Sequence, residues 1–182
     1  LLAHFLMEKM AQAKGYHTYI CKDNQLAHYA HAIQRELERV KFLYIYRDPR
    51  DTLLSHKKRV FQTADIHKLA KMWQREQLDA LALPGYLPAE QFQSISYEVL
   101  IRDNEAALNS ILSFLQVKPE NRQNSRQITG RSADWENLQK PLMKKNYNKY
   151  KERLTPFEIR IIEAICWREM RLLGYQAEYG KR

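Results

Sequence analysis

Apolar and polar positions divide the chain into short β-like runs and helices with one apolar face. Residues 1–14 place Leu2, Phe5, Leu6, Met10 and Ala13 at helical spacing, with Gly15 as the stop. Residues 16–21 (YHTYIC) are aromatic and β-branched, which predicts a strand. Lys22-Asp23-Asn24 then starts a helix over 25–39, with Ile33 and Leu37 inward. Residues 42–46 (FLYIY) show no polar alternation and predict a strand buried on both faces. The order strand, helix, strand (16–21, 25–39, 41–46) is a βαβ unit, which implies a parallel sheet and a right-handed crossover.

Beyond the second strand comes a charged turn, Arg47-Asp48-Pro49-Arg50-Asp51. Pro49 cannot donate to a ladder, so the strand ends there, and Asp48 is placed to cap a helix whose first residue is Pro49. From His56 to Leu83 the spacing is helical, with Phe61, Ile66, Leu69, Met72, Trp73, Leu78 and Leu81 inward. A turn-rich connector over 83–88 leads to a strand at 92–96, ended by Tyr97-Glu98. A helix over 104–115 follows, capped by Asn104, with Leu108, Ile111, Leu112 and Leu115 on one face. Residues 117–150 are polar and aperiodic, and a loop this long is usually functional or disordered. Thr155-Pro156-Phe157-Glu158 is a capping box for a final helix, with a stripe of Ile159, Ile162, Ile165, Cys166, Met170 and Leu173 and a stop at Gly174.

The 182 residues suit one domain with a real core, and no run is apolar for long enough to span a bilayer. The net charge of +9 favours anionic partners. That charge is spread out, and no basic block comes with stacking aromatics, so nucleic acid is not expected. Cys21 and Cys166 are too few for a disulfide scaffold and lack metal-ligand spacing. With no Asn-x-Ser/Thr sequon, they point to a cytoplasmic setting, although a Golgi-luminal form stays open. No signal peptide is present, but Leu1 is not an initiator methionine, so the chain is expected to be a fragment.

The predicted topology puts Lys22 and Arg47 at the carboxyl ends of successive strands, the edge where open α/β sheets bind ligands. Arg47 and Ser55 are eight positions apart, across a turn and about one and a half helical turns. That spacing can bring a guanidinium and a hydroxyl onto one phosphate at a helix N-terminus. The plainer readings are a surface ion pair between Arg47 and Asp51 and an exposed turn lysine at 22. Trp73 is expected in the core, and His28 and His31 as packing or solvent histidines.

Arg47-Asp48-Pro49-Arg50-Asp51, three residues and then Ser55 resembles the second cofactor motif of the sulfotransferase family. The resemblance extends over nearly all of residues 20–175. It implies an α/β fold with a central parallel sheet related to P-loop nucleotide-binding proteins. It also implies transfer of a sulfonate from 3′-phosphoadenosine 5′-phosphosulfate to a hydroxyl or amine acceptor, with no metal required. By resemblance, Arg47 and Ser55 hold the 3′-phosphate, and Tyr97, in Ser96-Tyr97-Glu98-Val99-Leu100, meets the adenine. Gly130-Arg131-Ser132-Ala133-Asp134-Trp135 resembles the loop that closes over the 3′-phosphate, with Arg131 as its contact. Lys22 matches the lysine of a Lys-Thr-Pro or Lys-Ser segment and would stabilise charge on the transferring group, though Asp23-Asn24 follows it here. No base can be assigned. The family's Gly-rich 5′-phosphosulfate loop does not occur among the five isolated glycines, so the resemblance covers the second half of a catalytic domain, expected to continue upstream. A P-loop-fold nucleotide kinase would need a Walker motif, which the chain lacks; a non-catalytic basic module for an acidic polymer would need clustered charge.

Overall fold

The computed structural model describes residues 9–13, 15, 18–37, 39–59, 65–118 and 145–179. Residues 9–13 are helical. In chain order the elements are α1 (Leu26–Glu36), β1 (Phe42–Tyr46), α2 (Pro49–Arg59), α3 (Ile66–Ala82), β2 (Phe92–Ser96), α4 (Tyr97–Arg102), α5 (Asn104–Leu115), α6 (Tyr150–Arg153) and α7 (Pro156–Leu172). Short 3₁₀ turns at Leu83–Gly85 and Ala89–Gln91 fill the turn-rich connector before β2.

Strands β1 and β2 pair in parallel, Phe42 opposite Phe92 through to Tyr46 opposite Ser96. The two strands therefore end together, and Arg47 and Tyr97 leave the sheet side by side. Both exits become helices at once. Asp48 Oδ1 accepts from the Arg50 amide (2.8 Å), the cap that places Pro49 at the first helical position of α2. Ser96 does the same for α4, accepting from the Val99 amide (3.1 Å). Among the described residues the architecture is helix-rich around this two-stranded parallel sheet.

Several expectations need correction. The strand over 16–21 is not seen where the chain is described: residues 18–23 have no regular structure, and Ile20 is 77% exposed. A β-branched run becomes a strand only with a neighbour to pair with. Among the described residues the parallel crossover runs instead from β1 through α2 and α3 to β2. Nor is β1 buried on both faces, since Ile45 is 48% exposed. The helix expected over 56–83 is two helices, and α3 starts afresh with Asp65 accepting from the His67 amide (2.9 Å). Met72 and Leu78 face outward on it, while Leu69, Ala70, Trp73, Gln77 and Ala80 are buried; Phe61 lies outside the described residues. Asn104 opens α5 but does not cap it; its amide reaches back to the Leu100 carbonyl (3.5 Å).

The main core lies where α3 packs on α7, with α2 and α6 closing it. Trp73 and Leu69 from α3 meet Ile159, Ile162, Cys166 and Met170 from α7 and Leu53, Leu54 and Tyr150 from the closing helices. Helix α7 keeps its register through two terminal devices. At its start Thr155 and Glu158 form the reciprocal capping box. At its end Gly174 takes φ 82°, with Gly174 N–H bonded to the Arg171 carbonyl and Tyr175 N–H to the Met170 carbonyl. A smaller cluster of Ala30, Leu83 and Leu87 packs with Phe42 and Phe92 at the start of the sheet. No described helix is long and apolar enough to cross a membrane.

Candidate functional site

The charged turn after β1 separates into two sets of side chains with different work. One set is structural. Asp48 grips the Arg50 guanidinium with both oxygens (2.9 Å to Nε, 2.7 Å to Nη2), and Arg50 Nη1 donates to Glu163 on α7 (2.7 Å). The Arg50 guanidinium carbon also lies 4.3 Å from the Tyr150 ring centre. Burial pulls the Arg50 pKa down, but the bonds to Asp48 and the nearby carboxylate of Glu163 outweigh it and leave it above the ordinary arginine value. Glu163 is fully buried and also accepts the amides of Glu178 and Tyr179 (2.8 Å each), which ties down the segment after α7. Such a paired, hydrogen-bonded network is what a buried charge requires.

Asp51 belongs to this set as well. It is buried, not a surface partner of Arg47, and accepts the amides of Asn148 (2.6 Å) and Tyr150 (3.0 Å). Burial pushes its carboxyl above the usual range, against the pull of those two amides and of the Arg47 charge. Glu98, the second residue of α4, joins the same ring. It accepts the Asp48 amide (3.1 Å) and the Tyr175 hydroxyl (2.8 Å). Asp48, Arg50 and Asp51 line a cleft of about 400 Å³ with Arg102, Lys151 and Glu178; Arg47 and Tyr97 are not among its lining residues.

The other set is Arg47 with Tyr97. The Arg47 guanidinium carbon sits 4.6 Å from the Tyr97 ring centre, and Nη2 donates to the Asn146 carbonyl (2.8 Å). The Asn146 amide donates to the Tyr97 hydroxyl (2.8 Å). Arg47 Nε is buried and has no hydrogen-bond partner. A buried guanidinium N–H without an acceptor is costly, and an anion there would satisfy it. At the α2 N-terminus the Arg50 amide is already bonded to Asp48, whereas Arg47 Nε keeps an unpaired N–H at this edge.

The structure thus brings together two of the five residues singled out in the sequence, Arg47 and Tyr97. Ser55 is half-buried on α2, one helical turn beyond Asp51 and on the same face. Lys22 is exposed in an irregular stretch before α1, and the described residues just before it, 18–21, form no strand to present it. Arg131 and its loop lie outside the described residues. Sequence reasoning missed Arg50 with Glu163, and Asn146. A glutamate beside Ile162, on the apolar side of α7, was a readable demand for a buried cation; nothing local marked Asn146.

Residues 1–121 match the family model described as "Sulfotransferase family". No curated protein matches the chain. Among solved structures it is similar to the sulfotransferase domain of the olefin synthase from Synechococcus PCC 7002, at 18% identity and a TM-score of 0.61 over 79% of this chain. The chain spans 55% of the length of that relative, and the likeness is one of fold. With two thirds of its residues under the family model, among them Arg47, Ser55 and Tyr97, the chain belongs to the sulfotransferase family.

Proposed function

We propose that this chain is the donor-binding half of a single sulfotransferase domain with a P-loop-like fold, which uses 3′-phosphoadenosine 5′-phosphosulfate. The observation that carries the reading is the buried Arg47 Nε without an acceptor, held against Tyr97 where β1 and β2 end together. A guanidinium fixed this way suits a phosphate, which takes its N–H groups in pairs. Arg47 and Ser55 bind the 3′-phosphate, Tyr97 offers the ring face not covered by Arg47 to the adenine, and Arg131 closes over the phosphate. The role of Lys22 toward the transferring group rests on the family resemblance alone.

The reaction is an in-line displacement, in which a hydroxyl or amine acceptor attacks sulfur and adenosine 3′,5′-bisphosphate departs with the bridging oxygen. Cys21 and Cys166 are both free, which supports a cytoplasmic setting.

Thermal unfolding of the full-length protein tests the assignment, because a ligand bound to the native state raises the midpoint. Adenosine 3′,5′-bisphosphate is expected to raise it, adenosine 5′-phosphate to raise it much less, and Arg47→Ala to remove the difference. Equal shifts with both ligands would mark a general nucleotide binder. No shift with either would leave a basic module for acidic polymers.

A further inference from the structure

We infer that Asn146 is a positioning residue of the donor site, fixing Arg47 and Tyr97 in one arrangement before any ligand arrives. The inference deepens the proposed function and rests on it. Asn146 is far from both residues in the chain and lies beyond the stretch that matches the family model. It nevertheless touches each of them through a different group: its carbonyl accepts from Arg47 Nη2, and its carboxamide donates to the Tyr97 hydroxyl. With the guanidinium over the Tyr97 ring, the three residues close a triangle in which every pair is in contact, Asn146 meeting Arg47 through its backbone carbonyl and Tyr97 through its side chain.

Asn146 is itself held. Two and four residues on, the amides of Asn148 and Tyr150 bond to the buried Asp51 carboxylate on α2. Asn148 takes φ 58°, a left-handed turn that asparagine tolerates, and it redirects the chain into α6. Helix α2 therefore secures the segment carrying Asn146 through Asp51, while the residue that precedes α2 by two, Arg47, receives Asn146 in return. This holds the guanidinium with one Nη2 hydrogen bond spent on protein and Nε left for an anion. A preorganised arginine loses less side-chain freedom when it binds, which is how such a residue raises affinity without touching the ligand.

The test combines a double-mutant cycle of Asn146→Ala and Tyr97→Phe with a ligand-free readout on Arg47. Calorimetry on the full-length protein measures affinity for adenosine 3′,5′-bisphosphate. Alanine keeps the backbone carbonyl but removes the donor to Tyr97, and phenylalanine keeps the ring but removes the acceptor. Each single change is expected to weaken binding about tenfold, and the double variant no more than the worse single one. Without ligand, the Arg47 Nε–H signal in ¹⁵N NMR, assigned by its loss in Arg47→Lys, should move or broaden in Asn146→Ala. Additive losses, or an unmoved Arg47 signal, would overturn the role of Asn146 while leaving the donor site standing. Absence of bisphosphate binding by the wild-type protein would remove the donor site itself, and the role of Asn146 there with it.

Discussion

Arg47 and Tyr97 occupy matching positions one residue beyond the paired ends of β1 and β2, and the guanidinium carbon lies 4.6 Å from the ring centre. Parallel pairing produces this directly: once Tyr46 is opposite Ser96, the next residue of each strand leaves at the same edge. The contact has two consequences. It holds the arginine, through a cation–π attraction worth more in a partly desolvated site than at an exposed one. It also covers one face of the tyrosine, so the proposed contact with the adenine would have to use the other.

Tyr97→Ala therefore removes the proposed adenine platform together with a support for Arg47. Affinity for adenosine 5′-phosphate should fall by about tenfold or more from lost stacking. Affinity for the 3′,5′-bisphosphate should fall further, because Arg47 is loosened as well. Calorimetric titration with both nucleotides separates the two effects. A loss confined to the bisphosphate would reject stacking and leave Tyr97 acting through Arg47 alone.

Ser55→Ala tests the other half of the proposed phosphate site. A hydroxyl bonded to a charged phosphate contributes on the order of 1.5–3 kcal/mol, so bisphosphate affinity should drop about 10- to 100-fold. Adenosine 5′-phosphate should bind as before, and the ligand-free protein should be no less stable, since alanine suits a helix at least as well as serine. Equal losses for both nucleotides would take Ser55 away from the 3′-phosphate.

The buried network predicts a large effect on stability. Arg50→Met leaves Asp48 and Glu163 buried without their cation. Removing one partner of such a pair costs about 3–5 kcal/mol, which for a chain of this size lowers the melting midpoint by about 10 °C. Urea unfolding followed by circular dichroism measures it. A variant as stable as wild type would show that the carboxylates find other partners.

The sequence was legible where a signal was local. The unbroken apolar run 42–46 became β1, the alternating run 92–96 became β2, and both ends of α7 were spelled out by Thr155, Glu158 and Gly174. It misled where a partner decides the outcome. Residues 18–21 have β propensity but no described strand beside them. Arg50 stands in the same charged turn as Arg47, yet one is sealed by Asp48 and Glu163 while the other keeps a free donor. The Asp48 part of that seal is local, but the Glu163 part comes from α7, 113 residues away in the chain, where no local rule reaches. Asn146 was unreadable for the same reason, since its partners sit on α4 and before α2.

The capping box of α7 yields the last prediction, a pH dependence. Glu158 accepts both the amide (2.9 Å) and the hydroxyl (3.0 Å) of Thr155, and Lys57 from α2 bonds to its other oxygen (2.5 Å). Burial would raise its pKa, but the Lys57 bond and the Thr155 bonds outweigh burial and hold it below the ordinary 4.5. A carboxylate whose folded pKa is depressed contributes stability that is present above the unfolded value and lost as pH falls through the folded one. Glu158→Gln keeps the shape and the bond from the Thr155 amide but loses the charge beside Lys57 and the helix N-terminus. At pH 7 the variant should be about 1 kcal/mol less stable than wild type, a modest figure because Lys57 is partly exposed to solvent. That difference should hold down to about pH 5 and shrink toward zero below it, as wild-type Glu158 takes up its proton. Urea unfolding of both proteins between pH 7 and pH 3 measures the gap; a gap that persists unchanged at the acid end would mean that the charge of Glu158 contributes nothing.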